Sequence, residues 1–183
     1  MYKIIVFLSF FIYILVANAQ LIKVSAQGNI LDRQAKNHRC VLDNQSKLAW
    51  EVKLSNKGLQ DANNTYTWFD GKSGVNNGDY SHHCHWGKNC NTQTFIDALN
   101  QTKLCKQSVW RLPSESELRT LLVYGDNDLL VNLNFFPNTK RKSYWSTDEQ
   151  DIDIAIDVPF FYGGSKSSDK SFDAHVRAVS DAY

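Results

Sequence analysis

The sequence predicts an α+β domain in which two helices pack on twisted antiparallel strands, held by two disulfides. Strand-like alternation marks both ends of the chain, at residues 48–54 and 152–158, and two helix-opening signals, at Asn91 and Ser114, lie between them. Four cysteines, an even number, follow an apolar N-terminal run. With 43% hydrophobic and 13% aromatic residues, a chain of 183 can bury one sizeable core, which excludes disordered, collagen-like and solenoid classes.

Each element follows from its residues. Residues 4–16 form an apolar run behind Lys3 that admits Ser9, and Ala17, Asn18 and Ala19 give the small-x-small pattern a signal peptidase accepts. The run is shorter than the roughly 20 residues of a membrane span. Residues 1–19 are therefore expected to be a signal peptide cleaved after Ala19, and the protein to be secreted or periplasmic, with no membrane span thereafter. Cleavage would remove Lys3 and bring the formal charge from +1 to neutral, so charge gives no support for a nucleic-acid partner.

Residues 20–38 read as a polar lead-in, and the folded domain is expected over 39–183. Residues 39–42 and 48–54 are strands around a polar turn, with Leu48, Trp50, Val52 and Leu54 on one face. Residues 65–69 are a short aromatic strand, and 70–91 a loop too long to be a simple connector. Asn91 or Thr92 caps a helix with Phe95, Ile96, Ala98 and Leu99 at helical spacing, ending near Cys105. Ser114 and Glu117 form a capping box after Pro113; Leu118, Leu121 and Leu122 supply the buried stripe, and Gly125 the stop.

Residues 143–147 are a further strand. In the next, Ile152, Ile154, Ile156 and Val158 alternate with Asp151, Asp153, Ala155 and Asp157, which places the aspartates in water. Gly163 and Gly164 fit a hairpin turn, and residues 175–179 form the last strand. Cys84 and Cys90 are near enough to close a short loop, leaving Cys40 with Cys105, but three pairings remain open from sequence alone.

Several segments together resemble the Lcl C-terminal domain family, the globular end of a bacterial collagen-like adhesin. They are 48–53, 66–68, 90–95, 99–100, 104–105, 110–113, 117–118, 136–139, 144–146 and 176–177, in the family's order and spacing. Residues 110–118, Trp-Arg-Leu-Pro followed by Glu117 and Leu118, are also similar to a motif of formylglycine-generating-enzyme-like proteins. The resemblance implies a bacterial exported protein with C-type-lectin-like architecture, and binding of sulfated polysaccharide in adhesion or biofilm. Two positions depart from the pattern: Lys106 stands where the family commonly has Gly, and Val109 where it has Asp.

Candidate site residues follow from side-chain chemistry. Lys140, Arg141 and Lys142 are the basic triplet of the chain and precede Tyr144 and Trp145; cations pair with sulfate while rings stack on sugars. Lys103 and Lys106 would extend this patch if the fold brought them near. Trp110, Arg111, Pro113 and Glu117 are read as a structural motif, with Trp110 in the core and Arg111 on a carboxylate or on backbone carbonyls. His82, His83 and His85 flank Cys84 with metal-ligand chemistry, yet a disulfide would withdraw the thiolate and adjacent side chains rarely converge on one ion. No metal or other cofactor is therefore assigned.

Hydrolase, zincin and phosphate-loop motifs are absent from the sequence, as is the late cysteine pair of formylglycine-generating enzymes. The expected function is a non-catalytic binding domain for a surface polysaccharide. An envelope protein-interaction or structural domain is one alternative. The other is a glycan-acting hydrolase drawing its carboxylates from Asp148, Glu149, Asp151, Asp153 and Asp157.

Overall fold

The computed structural model describes residues 21–76, 84–85, 89–124 and 129–181. In chain order the elements are β1 (Leu21–Val24), β2 (Cys40–Asp43), β3 (Leu48–Glu51), α1 (Thr92–Thr102), α2 (Glu115–Thr120), β4 (Ser143–Glu149), β5 (Ile154–Pro159), β6 (Lys166–Asp169) and β7 (Val179–Asp181). Two antiparallel sheets result, one ordered β1-β2-β3-β7 and the other β4-β5-β6. The last residues of the chain stitch them together: His175 bridges to Tyr144 on β4, and Val179 pairs with Trp50 on β3 and bridges to Arg111. The protein is thus α+β, with two helices on antiparallel sheets and two disulfides.

The helices start where their side chains can satisfy free backbone N–H groups. The Asn91 carboxamide oxygen accepts from the Thr94 N–H at 2.8 Å, and α1 ends at Lys103, whose φ of 49° turns the chain left-handed. Ser114 accepts from the Glu117 N–H at 3.1 Å while Glu117 accepts from the Ser114 N–H at 2.7 Å, closing the capping box of α2. α2 is shorter than the leucine stripe predicts. It stops at Thr120, and Leu122 forms a bridge to Val131 instead, while Gly125 lies outside the described residues.

Two apolar clusters fill the interior. One gathers Tyr66, Trp68, Phe95, Leu99, Trp110 and Trp145 around the Cys40–Cys105 disulfide; the other gathers Trp50, Leu118, Phe135, Phe136, Tyr144, Val158 and Phe160. The second disulfide joins Cys84 to Cys90.

Charges are buried where the sheets meet. Glu51 pairs with Lys53 at 2.9 Å, and Arg177 donates to the Glu51 carbonyl and to Thr139 Oγ1, each at 2.8 Å. The two cations also lie over Phe95 (4.4 Å) and Phe136 (4.8 Å), which offsets part of the cost of burying them.

Several strand expectations change. The polar lead-in contains β1, which pairs along β2 from Leu21↔Asp43 to Val24↔Cys40. Residues 65–69 make isolated bridges, Tyr66 to Ala174 and Thr67 to Asn91, rather than a continuous strand. At the C-terminus the ladder begins only at Val179, because residues 174–178 cross from one sheet to the other.

The phase of β5 is also corrected. Asp157 is 1% exposed rather than solvated, Ala155 is fully buried, and Ile152 lies outside the strand at 76% exposure. Both faces of this sheet are covered: Val158 joins the cluster beneath α2, while Ala155 joins the other cluster on the opposite face. A two-sided strand does not oblige its polar positions to face water.

Candidate ligand-binding cleft

The second sheet carries a cleft of about 410 Å³ on the face opposite α2. Register explains its floor. Asp157 on the central strand β5 lies between Trp145 of β4 and Lys166 of β6, so the three side chains share one face of the sheet. Ser168 and Lys142 continue the lining, while Thr65 and residues 172–175 border it from neighbouring loops. Backbone bonds fix that border: the Trp145 N–H donates to the His175 carbonyl at 2.9 Å, and the His175 N–H to the Ser143 carbonyl at 3.0 Å.

The exposed rim of the cleft carries two basic side chains and one acidic one, and its floor a buried carboxylate. Lys142 and Lys166 are exposed, as are Phe172 and Asp173, and Phe161 is half-buried. Arg141, also exposed, holds its guanidinium 5.4 Å from the centre of the Phe161 ring. Among the described residues neither carboxylate oxygen of Asp157 has a hydrogen-bond partner. His175 is 8% exposed and holds the Asn64 carbonyl through Nδ1 at 3.0 Å. Burial lowers its pKa to about 4, so the imidazole is neutral at pH 7 and adds no charge to the cleft.

The basic triplet is divided by this geometry. Lys142 lines the cleft, whereas Lys140 is half-buried and its N–H donates to the Tyr144 hydroxyl at 2.8 Å. Of the two aromatics expected to stack on a ligand, Trp145 lines the floor of the cleft without exposed surface and Tyr144 does not line it. Tyr144 is 1% exposed and stacks on Phe160 at 4.5 Å, and Trp145 is fully buried with its indole N–H given to the Tyr66 carbonyl. Alternation along β4 sends one ring into each apolar cluster, which a sequence reading of adjacent aromatics does not disclose. Phe161 and Phe172 provide the ring surface instead. Neither Lys103 nor Lys106 lines the cleft, and the second rim cation is Lys166, whose polar neighbours gave no strand signal.

Trp110 is in the core, and Pro113 is buried just before the Ser114 cap. Arg111 grips Glu117 with both arms, Nη1–Oε2 2.8 Å and Nη2–Oε1 2.7 Å, and reaches Asp181 at 3.0 Å. The guanidinium is the main reason the Glu117 carboxyl titrates below its usual range. Arg111 and Glu149 also border a second cleft of about 290 Å³, lined by Trp68, Ile96 and Thr147.

The acidic run near β5 is dispersed. Asp148 accepts from the Glu115 N–H at 2.6 Å, Glu149 pairs with buried Lys170, and Asp151 accepts from the Ile154 N–H at 2.9 Å. His85 is exposed and its N–H donates to Asn64; His82 and His83 lie outside the described residues. Among the described residues no group of three or more His, Cys, Asp or Glu side chains is placed to hold a metal ion.

Residues 39–180 match the model of the Lcl C-terminal domain. The chain belongs to the Lcl C-terminal domain family. No curated protein matches the sequence. In this Lcl C-terminal domain the match begins one residue before β2, so β1 is an edge strand added ahead of the matched region. The cleft, the Arg111–Glu117 fork and the Cys40–Cys105 disulfide all fall inside it. Among the described residues no helix is long and apolar enough to cross a membrane.

Proposed function

We propose that this Lcl C-terminal domain is an exported, non-catalytic binding module with C-type-lectin-like architecture, and that it engages a sulfated polysaccharide. The observation that carries the reading is the joint presence, in one cleft, of the exposed cations Lys142 and Lys166 and the ring surfaces of Phe161 and Phe172. Sulfate groups pair with the rim cations, and sugar faces pack on the rings. The two disulfides and the small-x-small sequence at residues 17–19 support export to an oxidising compartment, where a surface glycan is accessible.

The test is binding of the oxidised protein to an array of neutral and sulfated glycans. Selective retention of sulfated chains, weakened by salt and reduced about tenfold or more in a K142A/K166A variant, is the expected result. Silence across the array would overturn the reading in favour of a protein partner in the envelope.

A second reading, glycan hydrolysis, rests on the two carboxylates Asp157 and Asp173 that line the same cleft. Release of reducing ends that stops in an Asp157→Asn variant would favour it over simple binding.

A further inference from the structure

Asp157 stands apart from the other carboxylates of the cleft region. It is 1% exposed, it occupies the central strand of the sheet, and among the described residues both its oxygens lack a hydrogen-bond partner. A buried carboxyl with no donor is costly to folding. The floor of a cleft is where such a cost has a use, because both carboxyl oxygens are then left to accept hydrogen bonds from a ligand.

Building on the polysaccharide reading, we propose that Asp157 is the specificity-determining acceptor of the cleft. It takes hydrogen bonds from a pair of adjacent sugar hydroxyls while Lys142 and Lys166 hold the anionic substituent of the same saccharide. The ligand class is therefore a hydroxylated acidic sugar rather than any polyanion. Hydrogen-bond donors distinguish the two. A plain polyanion meets attraction from the rim cations and finds nothing to donate to the floor, whereas a sugar that turns its hydroxyls inward makes the floor a second point of attachment. Lys166, Phe172 and Asp173 line the same cleft with exposed side chains, which can give way to an entering ring.

The test compares two probes on the wild-type protein and on Asp157→Asn and Asp157→Ser variants by calorimetry at fixed salt. One probe is a heparin-type oligosaccharide; the other is polyvinyl sulfate, a polyanion without hydroxyls. The proposal expects each substitution to weaken the oligosaccharide by about tenfold, the scale of hydrogen bonds to a charged group. Binding of polyvinyl sulfate should be unchanged or tighter, because it has no hydroxyl to donate to the carboxyl that has been removed. Thermal unfolding should shift upward in Asp157→Asn, because an unpartnered buried carboxyl is removed.

Equal or tighter binding of both probes by the variants would overturn the role of Asp157 while leaving the polysaccharide reading intact. A lower unfolding temperature in Asp157→Asn would also overturn it, because it would make the carboxylate a structural partner. Failure of the wild-type protein to bind the oligosaccharide would remove both readings together.

Discussion

His175 lines the cleft, and its protonation is coupled to folding. Its imidazole is buried, bonded to the Asn64 carbonyl, and titrates near 4, whereas an unfolded histidine titrates near about 6.5. Between those values the unfolded chain binds a proton that the folded chain does not. Stability contributed by the neutral ring is thus complete above the unfolded pKa and is lost as pH falls toward 4, by about 3 kcal/mol at most. Urea titrations from pH 7 to pH 4 should show this loss, and an H175Q variant should show a flatter profile in the same window.

A second residue-scale expectation concerns Lys106. It adopts φ 63°, in the left-handed region, immediately after Cys105 at φ 55°. The resemblance marks this as a position where Gly is common, and the backbone gives the reason, since only Gly takes this conformation without a Cβ penalty. Lys106→Gly should therefore raise stability by about 0.5–1 kcal/mol in chemical denaturation.

At the scale of elements, α2 is only six residues long and owes its start to side chains rather than to propensity. Ser114→Ala removes one half of the capping box and should cost about 1 kcal/mol. Glu117 serves both this cap and the Arg111 fork, and its depressed pKa adds stability above the unfolded carboxylate range that disappears as pH falls through the folded value. A Glu117→Gln variant should consequently differ from wild type at neutral pH and converge with it in acid. The Cys40–Cys105 bridge ties the start of β2 to the turn after α1 across 65 residues; replacing both cysteines by Ala should cost about 4 kcal/mol.

Across the whole molecule, local signals were readable and non-local ones were not. The caps at Asn91 and Ser114, the turn between β2 and β3, and the burial of Trp110 follow from residues close in sequence. β1 and β6 are short and carry little apolar alternation, so each exists because a neighbouring strand supplies its ladder. The same holds for the buried ions: Lys53 and Arg177 surround Glu51 only once the chain ends have met. The candidate cleft was half legible. Lys142 was visible in the basic triplet, but Lys166, Phe172 and the inward turn of Asp157 depend on pairing of β4, β5 and β6 and on the crossing of residues 174–178 between sheets.

The central claim is that this cleft binds a sulfated polysaccharide through its rim cations. The most direct test measures the affinity of the oxidised protein for a heparin-type oligosaccharide as a function of salt, beside its K142A/K166A variant. The account predicts wild-type binding that weakens steeply with ionic strength, and a variant that is both weaker and less salt-sensitive. Binding that ignores salt, or that is the same in the two proteins, would contradict it.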